Sequence, residues 1–189
     1  NKKIYSSNHF KFFDKIIIKK RLEIVDIINN QIALNNINDI LDIGTTNDTE
    51  NESSNFIIKN LKNVKSFYSI SDQLISSTFF KKKLQRSIIE NFSEYEIENF
   101  KSDLVVSNAT IEHVGNYNDQ KAMIDNMIKF SKKMVIISTP NRYHPLEFHT
   151  KIPFIHWLPK TIHRTILKNL NLSFYSKEKN LNLLSRSDL

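Results

Sequence analysis

Asp103-Leu-Val-Val-Ser-Asn-Ala-Thr-Ile-Glu-His-Val114 is the stretch that decides the fold. Its first half is an apolar, β-branched run, and its second half turns abruptly small and polar. A strand buried in a parallel sheet reads this way when it delivers its carboxyl end to a ligand site. Asp39-Ile-Leu-Asp-Ile-Gly44 repeats the pattern upstream. In open α/β sheets, ligands bind just outside such carboxyl ends. The two stretches together predict an architecture and the place where its chemistry is done.

The flanking segments fill in that architecture. From His9 to about Asn35, Phe10, Phe13, Ile17, Ile24, Ile28 and Ile32 recur at helical intervals. Ile37–Ile43 reads as a strand, Thr45–Asn55 as a loop and Asn55–Leu61 as a helix. Val64–Ile70 is a second strand with Asp72 just past its end. A helix over Gln73–Lys82 precedes a third strand, Leu84–Ile89, which ends at Glu90. Asp103–Ser107 is the fourth strand. Asp119–Ser131 is an amphipathic helix through Ala122, Met123, Met127 and Ile128, and Lys133–Ser138 is a fifth strand stopped by Thr139-Pro140. This alternation predicts an α/β, doubly wound, mainly parallel sheet.

One domain is expected over 1–189: an N-terminal helix at 9–35, an α/β core at 37–139, and a segment at 140–189 rich in proline, aromatics and histidine. Pro140, Pro145, Pro153 and Pro159 resist helix and central strand, so the start of that segment reads as an ordered lid. Phe154 and Trp157 are expected to anchor it. The sequence opens on Asn1 rather than Met and closes on Ser-Arg-Ser-Asp-Leu189, so a fragment lacking both ends is the expectation.

With 189 residues, 40% hydrophobic and 25% charged, the chain has the composition of an ordinary globular domain. No apolar run approaches a bilayer span, and no secretory segment precedes the first helix. Cysteine is absent, which excludes disulfides, thiolate zinc sites and a cysteine nucleophile and suits a cytoplasmic setting. The net charge of +7 comes from scattered lysines, a weak signal for nucleic acid. Oligomeric state leaves no signature.

Only Gly44 and Gly115 occur in the chain. A dinucleotide fingerprint needs three glycines at one turn and a Walker loop needs Gly-Lys-Ser/Thr, so NAD, FAD and ATP held in a phosphate cradle are not expected. A cofactor without phosphates needs one close backbone approach after the first strand. It also needs an acid after the second strand to accept ribose hydroxyls. Gly44 and Asp72 meet that requirement.

At these residues the chain resembles a family. Leu41-Asp-Ile-Gly44 resembles the first motif of class I S-adenosylmethionine-dependent methyltransferases. Asp103–Val114 is similar to the fourth-strand motif of their type 11 domain group, and Ser138-Thr-Pro-Asn-Arg142 to the end of its fifth strand. The likeness covers about Ile37 to Pro159. It implies a Rossmann-like methyltransferase fold with S-adenosylmethionine as cofactor. Asp42, Gly44 and the adjoining Thr45 would lie against the methionine part, Asp72 against the ribose, and Glu90 or Asn91 near the adenine. Asn108 and Ala109 would face the sulfonium, with Glu112 and His113 at the mouth of the substrate site. The family's Gly-x-Gly-x-Gly is here Gly44-Thr-Thr-Asn-Asp48, two glycines short. Such folds end with two more strands; Phe174-Tyr-Ser176 and Leu181–Leu184 are poor candidates, so those strands are expected to be missing.

His113 is a candidate general base, since imidazole titrates near working pH, and equally a histidine satisfied beneath the next helix. Arg142 is a candidate for an anionic substrate group and His149 for a substrate-facing lid position. His144, His149, His156 and His163 are spaced five and seven residues apart, unlike ligands on one helix face, so no metal site is predicted. The expected function is methyl transfer to a small-molecule acceptor, by O- or C-methylation of a metabolite, lipid precursor or sugar. Asn108-Ala109-Thr110 lacks the Pro-Pro-Tyr/Phe continuation used in base N-methylation. Two alternatives remain: a degenerate, non-catalytic binding module, motivated by the lost glycines, and a protein that binds RNA or an anionic surface, motivated by the charge.

Overall fold

The computed structural model describes residues 11–48 and 54–188. Five strands form one all-parallel sheet in the order β3-β2-β1-β4-β5. They are β1 (Asp39–Ile43), β2 (Ser66–Ser71), β3 (Lys82–Gln85), β4 (Ser102–Asn108) and β5 (Ser131–Ser138). β1 pairs Ile40 with Leu104 and Ile43 with Ser107 of β4, and on its other edge Asp39 with Ser66 of β2. The strand order reverses between β1 and β4, the switch point at which open α/β sheets bind ligands. The fold is doubly wound and Rossmann-like, as the sequence predicts.

Alternation along β1 and β4 divides the core into two layers. Ile40, Leu104 and Val106 face α1 (Lys11–Leu34) and α2 (Phe56–Lys59), where Val25, Ile28, Ile32, Ile57 and Ile58 are buried. Leu41, Ile43 and Val105 face α3 (Glu94–Phe100) and α4 (Tyr117–Phe130) through Phe100, Met123, Met127 and Phe130. Ile24 packs at the margin of the first layer, as its helical spacing predicts. Phe10 and the Phe13 side chain lie outside the described residues, as do positions 49–53 of the predicted loop.

Several boundaries differ from the sequence reading. Ile128 is 58% exposed, and the buried face of α4 runs through Met123, Met127 and Phe130 instead. Residues 73–82 form no helix. Ser76 donates from its backbone N–H and its hydroxyl to Asn47 Oδ1, and Phe79 stacks on Phe67 at 4.6 Å. Those side-chain partners replace the helical ladder, as serine-rich segments allow. β3 accordingly starts at Lys82 and ends at Gln85, four residues short of the predicted Ile89.

α3 was not predicted, although its start carries a legible signal. Ser93 Oγ accepts the Glu96 N–H while Glu96 accepts the Ser93 N–H, a capping box. Ser93→Ala should therefore lower stability by about 1 kcal/mol. Urea unfolding would measure it, and a change near zero would contradict the assignment.

After β5 the chain turns back across the sheet ends. A short 3-10 turn (Ile155–Trp157) and α5 (Lys160–Asn169) are followed by a coil that returns to the core. Leu184 bridges Asn141 in parallel register. Residues 181–184 thus end in one bridge rather than a strand, and the described sheet stops at five strands. Among the described residues, no helix is long and apolar enough to cross a membrane.

Candidate functional site

The carboxyl ends of β1 to β4 open into a cavity of about 570 Å³. Its walls include Gly44 after β1, Asp72 after β2, Arg86 and Ile88 after β3, and Ala109 and His113 after β4. Tyr175 and Asn180, from the returning coil, close the far side. A second cavity of about 430 Å³ lies beyond the β4 exit. It is lined by Arg21 and Ile24 of α1, Asn108, Ser138 and Thr139 at the strand ends, and His144 and Phe148 of the lid. Ala109 and His149 line both cavities.

The turn after β1 shows how the chain manages without the missing glycines. Gly44 has φ +86°, and a Cβ there would stand 2.3 Å from Thr110 Oγ1. Its lack of a side chain is used first by Thr110. The following amides are taken: Thr46 N–H donates to Asn55 Oδ1 and Asn47 N–H to Gln73 Oε1. These two amides are therefore not available to a phosphate.

Asp42 and Thr45 lie beneath the cavity rather than in its wall. The Thr45 hydroxyl donates to Asp42 Oδ2 at 2.6 Å, Ser69 Oγ to Thr45 Oγ1 at 2.8 Å, and Ser71 Oγ to the Thr45 carbonyl at 2.6 Å. Burial pushes the Asp42 carboxyl up to about 6, against the pull of the Thr45 hydrogen bond. Asp72 does line the cavity and is exposed.

Glu90 and Asn91 do not reach the cavity, because β3 ends early. Arg86 pairs with the Glu90 carboxylate at 3.1 Å and donates to the Asn91 carbonyl at 2.7 Å. They buttress the wall that Arg86, Ser87 and Ile88 present. Arg142 is likewise a strut: it donates to the carbonyls of His156 and Leu158, and touches neither large cavity.

The β4 exit is held under conformational strain. Ala109 has φ +52°, a left-handed conformation uncommon for a residue with a Cβ, and its N–H donates to the Ser138 carbonyl. Asn108 Oδ1 accepts from Ser138 Oγ at 2.6 Å. A 3-10 turn (Ile111–His113) then places Glu112 and His113 side by side.

The lid brings His149 onto that turn. His113 Nε2 and His149 Nε2 stand 2.9 Å apart, with the rings edge to face. His113 Nδ1 donates to the Asn180 carbonyl at 2.6 Å, and His149 Nδ1 to Glu147 Oε1 at 2.7 Å. Glu112 is wholly buried; the Thr139 hydroxyl donates to its Oε2 at 2.9 Å. Burial opposes ionisation of Glu147, yet the His149 hydrogen bond and charge together with Thr150 hold it down at about 2. His149 is raised: the pull of Glu147 and then Glu112 outweighs its desolvation.

The structure thus gathers Gly44, Asp72, Ala109, His113 and His149 around one cavity, with Asn108 on the other side of the same exit. The sequence reading missed Arg86, Tyr175 and Asn180. The first followed from the misplaced end of β3, and the others sit on a coil whose periodicity carries no signal. No family model matches the chain, and no curated protein matches it.

Proposed function

We propose that this chain transfers a methyl group from S-adenosylmethionine to a small-molecule acceptor. The observation that carries the reading is the pair of cavities at the topological switch point, sharing Ala109 and His149 as a common wall. Two chambers meeting at one strand exit suit a reaction that passes a group from donor to acceptor. The larger has Gly44 and the exposed Asp72 at the positions a nucleoside without phosphates requires. The Thr46 and Asn47 amides of its turn are already bonded, which favours such a ligand over a nucleotide.

In this reading the Asp72 carboxylate accepts the ribose hydroxyls, and the Ala109 backbone sets the donor's reach into the second chamber. The sulfonium is intrinsically reactive, so alignment and exclusion of water are the protein's main contribution. His113, the candidate general base, takes the proton of a hydroxyl acceptor when no cation occupies its Nε2.

Isothermal titration with S-adenosylhomocysteine tests the proposal. One molecule bound per chain is expected, with Asp72→Ala weakening it by about tenfold or more through loss of charge-assisted hydrogen bonds. No heat at millimolar ligand would overturn the reading and favour a non-catalytic binding module.

A further inference from the structure

We infer that Glu112, His113 and His149 form a binding site for a divalent transition-metal ion on the wall of the larger cavity. One potential ligand atom from each residue lies within 4.8 Å of the other two. Ligands of one tetrahedral ion with metal–nitrogen bonds of about 2.0–2.1 Å stand roughly 3.3 Å apart. His149 Nε2 lies 2.9 Å from His113 Nε2 and 3.8 Å from Glu112 Oε1, on either side of that spacing.

The hydrogen bonds around the trio supply the stronger argument. A carbonyl and a carboxylate only accept, so Nδ1 of both histidines carries its proton. In the neutral rings, both Nε2 atoms then present lone pairs to each other at 2.9 Å. Only a cation between them relieves that contact, whether a proton or a metal ion. Glu112 Oε1 separates the two. It is buried and has no hydrogen-bond partner, while Thr139 fixes the other oxygen of the same carboxylate. A shared proton would leave Oε1 orphaned; a metal ion satisfies all three atoms. Glu147 and the Asn180 carbonyl are the outer partners that orient ligating imidazoles.

Two imidazoles and one carboxylate suit Zn²⁺, Co²⁺, Fe²⁺ or Mn²⁺ better than Ca²⁺ or Mg²⁺. Three protein ligands leave a coordination position open, and His113 and His149 both face the cavity. An oxygen bound there gives up its proton more readily. On the methyl-transfer reading, on which this last step alone rests, that oxygen is the acceptor hydroxyl; its proton passes to solvent water, and the ion takes the place of the imidazole base because both Nε2 atoms are then its ligands.

The test is titration of the metal-stripped full chain with Zn²⁺ by calorimetry and with Co²⁺ by visible absorption, neither requiring the methyl donor. One ion per chain at micromolar affinity or tighter is expected, with a nitrogen-ligated Co²⁺ spectrum. His149→Ala and His113→Ala should each weaken binding by about 100-fold, and Glu147→Gln by roughly 10- to 100-fold. His163→Gln should leave it unchanged, and circular dichroism melts check that each variant folds. Absence of binding by the natural chain, or His149→Ala binding as tightly as it, overturns the site. If His149→Ala does not fold, a Co²⁺ spectrum of the natural chain without nitrogen ligation overturns it as well. Methyl-donor binding without metal binding would sink this site and leave the methyl-transfer reading standing; the reverse result would do the opposite.

Discussion

Gly44→Ala is expected to destabilise the protein by about 2–5 kcal/mol. Two costs combine. A left-handed φ of +86° is one an L side chain adopts only with strain. The added Cβ would also lie 2.3 Å from Thr110 Oγ1, 2.5 Å from its Cγ2 and 2.9 Å from its Cβ. Thr110 cannot swing away without loss, because its hydroxyl is within hydrogen-bond reach of the Ile43 and Asn108 carbonyls. A double-mutant cycle with Thr110→Ala separates the costs. Thr110→Ala removes the two nearest atoms and should recover about 1–2 kcal/mol of coupling, while the backbone strain persists. Urea unfolding of the four proteins gives the answer; Gly44→Ala within about 0.5 kcal/mol of the natural chain would contradict this packing of the β1 and β4 exits.

Asp42→Asn should raise stability, and the gain should depend on pH. The folded carboxyl sits at about 6 against an ordinary value of 3.8, so the folded state binds this proton more tightly than the unfolded chain. Below 3.8 both states are protonated and burial carries no penalty. Between 3.8 and about 6 the unfolded chain ionises first and folding becomes less favourable. Above about 6 the penalty is complete, on the order of 3 kcal/mol for a displacement of that size. An amide in place of the carboxylate keeps an oxygen for the Thr45 hydroxyl and removes the buried charge. Melting temperatures should diverge above about 6 and converge in acid. A difference independent of pH would show that Asp42 does not titrate as its burial requires.

These two expectations fall on residues that the family resemblance assigns to cofactor contact, and the structure divides them. Gly44 is in the cavity wall, whereas Asp42 is beneath it, holding the turn through Thr45 and Ser69. A strand-end carboxylate has the same sequence signature in either position. Only the register of β1 against β2 determines which way it faces. Glu90 and Asn91 fall outside the cavity wall for a related reason: β3 is a short edge strand of mostly polar residues, so its end carries little signal in the sequence. Ile128 is a phase error in a helix whose apolar residues populate more than one face.

The interior strands were readable by themselves. Asp39–Ile43 and Ser102–Asn108 are covered on both sides, so each carries a mainly apolar run that breaks where the sheet meets solvent. That local rule carries the parallel sheet, its switch point and the position of the cavities into the one-dimensional sequence. The meeting of His113 and His149 is different in kind. The two histidines lie 36 positions apart, on separate segments that neither spacing nor periodicity relates. Their orientation depends on Asn180 and Glu147, the first of which lies 67 positions from His113. Burial is written residue by residue, but contact between distant loops exists only once the whole chain has closed around them.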